Sequence, residues 1–189
     1  HNESRVDGNI SGILRNKPEK AGFSMKRRVL SMLVDNTSGV LSRVSGLFSR
    51  RGYNIDSLTV GETADPRYSR MTVVVRGDEL ILDQITKQLA KLIDVVDIKT
   101  LQDGESVTRE LILVKVRADA EHRQDIVSTA GIFRANIVDV GVDSLTIEMT
   151  GNQSKIEAFI GLLMGYEILE LARTGITGLS RGADDVRYL

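Results

Sequence analysis

The chain has 189 residues, with 25 Lys and Arg against 26 Asp and Glu, a net charge of −1 at pH 7, 41% hydrophobic residues and no cysteine. The even charge balance gives no overall basic field for nucleic acid, and the missing cysteine excludes disulfides, iron–sulfur clusters, thiol catalysis and cysteine zinc sites. No apolar run approaches the roughly 18–20 residues of a membrane span, and the length fits one domain or two small ones.

Residues 1–24 are polar, carry Gly8, Gly12 and Pro18 and show no sustained period, so they predict a disordered extension or an expression remnant, with Met25 as a candidate start. Compact patterning begins there. Val29, Leu30, Met32, Leu33 and Val34 form a short apolar run that suits a buried strand. Asp35-Asn36-Thr37-Ser38-Gly39 follows, residues that favour turns and helix caps. Val40, Leu41, Val44, Leu47 and Phe48 then recur at helical spacing, and Gly52 stops that helix before a strand over Tyr53–Gly61. A loop over 62–67 leads to a β-rich run, Tyr68–Arg76. Leu82, Ile85, Leu89 and Leu92 mark a second helix face, and Ile93–Leu101 a further strand. The order is βαββαβ, closed by a polar linker over 102–106.

The same order then repeats. Arg109–Ala118 reads as a strand, Glu121–Phe133 as a helix, Asn136–Val142 and Ser144–Thr150 as paired strands, Gln153–Met164 as a helix and Glu167–Thr174 as a strand. Counted from Gly77 and Gly151, positions +5, +8 and +12 are Leu82, Ile85, Leu89 and Ile156, Phe159, Leu163. Each of Gly46-Leu47-Phe48 and Gly131-Ile132-Phe133 is followed by an Asn-Ile pair. The fold class expected is α+β: two tandem ferredoxin-like βαββαβ sandwiches over 25–102 and 108–175, with 176–189 as a C-terminal tail.

The turn between the first strand and helix is the candidate ligand site. The first amides of a helix lack intrahelical partners, and the macrodipole adds partial positive charge, so a carboxylate fits there. Asp35 and Asn36 offer acceptors nearby, and together these could hold a zwitterion at both ends. The plainer alternative is that Thr37 or Ser38 caps the helix and Gly39 permits close packing. The second half has Asp119-Ala120-Glu121-His122 at this position, without the glycine, so the turn occurs once per chain.

Asp35-Asn36-Thr37-Ser38-Gly39-Val40-Leu41, with Val44, Phe48, Gly52 and Asn54-Ile55, resembles the ACT domain, a small amino-acid-sensing module. The runs LSRVSGLFSRRGYNIDSLTV, SRMTVVV, RELILVKV, GIFRANIVDV and LARTGITGLSRG extend the resemblance, from Met25 to about Gly182, to the regulatory small subunits of acetohydroxyacid (acetolactate) synthase. Many ACT domains carry proline where this chain has Ser38, and serine also suits a helix start. The resemblance implies a non-catalytic, cytoplasmic subunit that activates a catalytic large subunit and binds valine for feedback inhibition of branched-chain amino-acid synthesis. Thiamine diphosphate, FAD and magnesium are expected on the large subunit, and none on this chain. The effector residues expected are Asn36, Thr37, Ser38, Gly39, Val40, Leu41, Asn54 and Ile55. Asn54-Ile55 opens an outer strand, and a homodimer joined there would bring Asn54 toward the partner's turn.

Other functions find less in the residues. His1 and His122 are the only histidines, and neither Asp35 nor Asp184-Asp185 belongs to a carboxylate set that reads as a metal cage. Gly161 and Gly165 have GxxxG spacing but fall in a short amphipathic helix. RNA-binding sheets of this topology need aromatic residues on the central strands, and VLSMLV and SRMTVVV have none there. A free-standing amino-acid sensor acting on another enzyme is the closer alternative.

Overall fold

The structure is a computed structural model, and it describes residues 25–183. The segment 1–24 and Asp184-Asp185 lie outside the described residues.

The first half comprises β1 (Lys26–Asp35), α1 (Val40–Arg51), β2 (Ile55–Glu62), β3 (Tyr68–Gly77), α2 (Glu79–Leu89) and β4 (Val95–Thr100). Its strands pair antiparallel in the order β2-β3-β1-β4, which puts β2 at one edge. Strand alternation sends Leu30, Met32 and Val34 of β1 and Met71, Val73 and Val75 of β3 to one face. There they meet Val40, Val44, Leu47 and Phe48 of α1 and Leu82, Ile85 and Leu89 of α2, so both helices cover the same side. The intervening residues Ser31, Leu33, Thr72 and Val74 point to the other face and are buried as well.

The second half comprises β5 (Ser106–Arg117), α3 (Arg123–Ile132), β6 (Asn136–Val140), β7 (Ser144–Gly151), α4 (Gln153–Leu163) and β8 (Ile168–Arg173). Its order, β6-β7-β5-β8, repeats that of the first half strand for strand. Ile112, Val114 and Val116 of β5 and Leu145, Ile147 and Met149 of β7 pack against Ile126 and Ala130 of α3 and Ile156, Phe159 and Leu163 of α4. The architecture is α+β, two tandem ferredoxin-like units. The repeat extends to the caps: Asp78 accepts from the Ile81 amide at 2.8 Å and Asn152 from the Lys155 amide at 3.0 Å, each opening its helix. Gly77 and Gly151 are needed where they stand, since a Cβ at either would lie 2.9 Å from the side chain of Ile81 or Lys155.

The segment after residue 175 differs from the expected tail. Thr177–Ser180 forms a further strand, β9, paired antiparallel with Ser106–Arg109 at the start of β5. β5 is therefore longer than its apolar alternation indicates, because its first residues exchange backbone bonds with β9. Before β9, the backbone crosses to the first sheet, where Ile176 is bound by two side chains of β2. Among the described residues, no helix is long and apolar enough to cross a membrane.

Candidate effector site

The turn Asn36–Gly39 leaves the end of β1 and feeds α1. Backbone bonds anchor its base: the Asp35 amide donates to Asp94 O at 2.9 Å and the Asn36 amide to Arg67 O at 2.7 Å. The Asn36 side chain ties it to the β2–β3 loop. Its Nδ2 donates to Pro66 O at 2.9 Å and to Glu62 Oε2 at 3.1 Å, while its Oδ1 accepts from Ser69 Oγ at 3.1 Å. A carbonyl oxygen accepts two bonds, so Asn36 Oδ1 keeps one place for an ammonium.

Gly39 is the N-cap of α1 and adopts the left-handed conformation, φ +89°. No side chain caps this helix. Thr37 and Ser38 are exposed and do not cap the first-turn amides, so the capping part of the plainer reading does not hold, whereas its close packing at Gly39 does, against Arg43. Leu41 is half-exposed on that first turn, whereas Val40 is buried in the core. The turn thus presents uncapped amides, an acceptor at Asn36 and an apolar flank at Leu41.

Three residues beside the turn were not singled out by sequence. Arg43 follows Gly39 by one helical turn, and a Cβ on Gly39 would lie 2.9 Å from its Nη1. Its Nε and Nη2 bind the two carboxylate oxygens of Asp94 at 2.5 and 2.8 Å. Those hydrogen bonds hold the Asp94 carboxyl below the usual carboxylate range and raise Arg43. Glu62, through Asn36, adds a carboxylate to the same rim. The four-residue spacing from Gly39 to Arg43 was the available signal for Arg43; nothing local marked Asp94, 51 residues on.

Asn54 and Ile55 do not join the turn within one chain. They follow the C-terminal end of α1, and a 12-residue helix separates them from Gly39 by about 18 Å. Ile55 packs on the first core, and Asn54 Nδ2 reaches Asp56 Oδ1 at 3.3 Å.

The equivalent turn in the second half is already filled. Asp119 accepts from the Glu121 and His122 amides at 3.1 and 2.9 Å and contacts His122 Nδ1 at 2.8 Å. The chain's own carboxylate thus takes two amides of the turn before α3, although the N-cap His122, like Gly39, makes no side-chain capping bond. Bonds to the His122 amide and ring hold the Asp119 carboxyl low, and Asp119 in turn raises His122.

Two family models divide the chain at this boundary: an AHAS small subunit-like ACT domain matches residues 30–97, and the small subunit of acetolactate synthase matches residues 109–182. A probable acetolactate synthase small subunit of Methanothermobacter thermautotrophicus is 52% identical over 82% of this chain and 93% of its own length. The chain belongs to the acetolactate synthase small-subunit family. The isozyme 3 small subunit of Salmonella typhimurium is 49% identical over 82% of this chain and 96% of its own length. The crystal structure of the acetolactate synthase small subunit from Thermotoga maritima superposes with a TM-score of 0.77 at 44% identity, covering 84% of this chain and 99% of that one. Membership in this small-subunit family makes the chain a regulatory subunit and implies a catalytic large subunit as its partner.

Proposed function

We propose that the chain binds valine at the Asn36–Leu41 turn of its ACT domain and thereby imposes feedback inhibition on the acetolactate synthase large subunit that it otherwise activates. The observation that carries this reading is the uncapped N-terminus of α1 behind Gly39, where no side chain competes for the amides, unlike the turn before α3, whose Glu121 and His122 amides Asp119 already takes. On this reading the valine carboxylate accepts from the amides around Val40 and Leu41, where unpaired donors and the helix dipole coincide. The ammonium meets Asn36 Oδ1, with Glu62 beside it. The isopropyl group enters an apolar pocket whose size sets preference, and one methylene in such a pocket changes affinity by about 1–3 kcal/mol, so leucine and isoleucine bind weakly. The site is completed by a second copy: β2 is the edge strand of its sheet, and dimers joined there place Asn54 and Ile55 beside the partner's turn. Thiamine diphosphate, FAD and magnesium belong on this reading to the large subunit.

Calorimetric titration of valine into the isolated chain, followed by titration of the reconstituted enzyme, tests this. Saturable binding with matching inhibition is expected. Binding that survives unchanged in Gly39→Asp removes the turn as the site.

A further inference from the structure

The two domains are tied by a polar joint on the open face of the first sheet. Ser57 Oγ accepts from the Ile176 amide at 2.9 Å, and Thr59 Oγ1 donates to the Ile176 carbonyl at 2.8 Å. Two side chains on one strand thus take both polar groups of one residue, which cannot slide along β2 without losing both bonds. Gly175, at φ +86°, makes the approach possible, since a Cβ there would lie 2.5 Å from Ser57 Oγ. On either side of this contact the segment is fixed to the second domain. Arg173 grips the buried Glu110 of β5 through two bonds of 2.8 Å, and β9 pairs with the start of the same strand.

We propose that the Ser57/Thr59 contact with Gly175–Ile176 is the coupling element that carries the state of the ACT edge strand to the second domain; this rests on the reading of β2 as part of the effector site. β2 carries a bulge between Ile55 and Ser57, so these two residues, two apart, point to opposite faces of the sheet. Ile55 enters the core beneath α1, while Ser57 and Thr59, register partners of Val74 and Thr72, face the opposite side. A displacement of Asn54–Ile55 by effector or partner copy therefore moves Ser57 within two residues, and Ile176 transmits it to β5, the strand through which β7, β8 and β9 are joined. A contact that only added stability to the domain interface would not link binding at one end to assembly at the other.

The test uses Ser57→Ala/Thr59→Val in the complex with the large subunit. Coupling is reciprocal, so in the wild type the large subunit changes valine affinity by the same factor that valine changes the affinity for the large subunit, about 5–150-fold for typical couplings. The variant is expected to bind valine alone as the wild type does, while that factor falls toward one and valine inhibition weakens with it. An unchanged factor overturns the joint and leaves valine binding standing. Hydrogen exchange of the β2 amides, with and without the large subunit, reads the same coupling without effector. The wild type should change protection and the variant should not; no change in the wild type, or the same change in both, overturns the proposal. If the wild-type chain binds no valine, the effector reading fails and this exchange comparison alone decides the joint.

Discussion

The guanidinium of Arg43 closes over Gly39, so near that a Cβ on the glycine would sit 2.9 Å from Nη1. The same guanidinium binds Asp94 through both carboxylate oxygens, which joins the first turn of α1 to the residue preceding β4. A positive φ of 89° at Gly39 adds a second constraint, because L-residues with a Cβ pay about 1–2 kcal/mol in this region.

Gly39→Ala is therefore expected to lower stability by about 1–2 kcal/mol, from backbone strain together with displacement of Arg43. Gly39→Asp should cost less, since Asp visits the left-handed region more readily and a carboxylate at a helix N-terminus returns about 0.3–1 kcal/mol. Yet Asp places an anion where the effector carboxylate would lie, next to Arg43. The expected outcome is a folded Gly39→Asp that activates the large subunit and ignores valine, with Gly39→Ala less stable but partly responsive. Thermal unfolding and calorimetry on the two variants check both halves.

Asp94 supplies a pH signature. Its carboxyl is held low by Arg43, so its folded pKa is below the unfolded one. The contribution to stability is present above the ordinary aspartate pKa, about 3.9, and is lost as pH falls through the lower folded value. Asp94→Asn should lose stability at neutral pH and show a shallower acid-side decline than the wild type. Denaturant unfolding across pH 2–6 measures this, and parallel curves would remove Asp94 from the acid response.

The fold was legible wherever one period ruled a segment. Leu82, Ile85 and Leu89 and their counterparts Ile156, Phe159 and Leu163 are buried as their spacing required, because a helix on a sheet has one apolar stripe. The position of the turn was legible for the same local reason. Its cap was not: Thr37 and Ser38 have capping side chains, but the chain reaches the helix through a left-handed glycine that leaves them outside. Contacts between distant residues left no local trace. Ser57 and Thr59 alternate with Leu58 and Val60 as the wet face of a strand would, and only the fold brings Ile176, 117 residues beyond Thr59, onto them. β9 has four residues, too few for any period, and of its partners Ser106–Arg109 the first ended the polar linker while only Arg109 belonged to the strand read from the apolar alternation.

His122 should titrate above an ordinary histidine, since Asp119 raises it, with Glu121 and Asp125 adding to the same direction and the Tyr166 ring packed edge-on at 5.8 Å. A raised folded pKa contributes stability below the unfolded value of about 6.5, and that contribution is lost as pH rises through the folded value. Asp119→Asn retains an oxygen for the Glu121 and His122 amides but removes the charge. Imidazole NMR titration should show the His122 midpoint fall in this variant; an unmoved midpoint would separate Asp119 from the histidine.

The β2 edge predicts association. Its outer side has no strand partner among the described residues, and Val60 is half-exposed near its end. Lysine on an edge strand opposes strand pairing. The wild type should sediment as a dimer at micromolar concentration, whereas Val60→Lys should be monomeric and bind valine weakly because Asn54 of the partner no longer reaches the turn. A monomeric wild type would rule out the shared site.

Gly175 and Ser57 offer the most direct physical check on the domain joint. Gly175→Ala imposes two penalties: left-handed strain of about 1–2 kcal/mol, and a Cβ placed 2.5 Å from Ser57 Oγ. Serine can relieve the overlap by rotating, but Oγ then leaves the amide of Ile176, which is buried, and an unsatisfied buried donor costs about 1–3 kcal/mol. Ser57→Ala loses that bond directly. In the double variant the bond is already absent and the overlap is reduced, so the second substitution should add little. The double-mutant cycle is expected to be non-additive by about 1 kcal/mol or more, with Gly175→Ala/Ser57→Ala nearly as stable as Gly175→Ala alone. Strict additivity would mean that the two residues do not touch in solution, and that the second domain sits on the ACT sheet by some other contact.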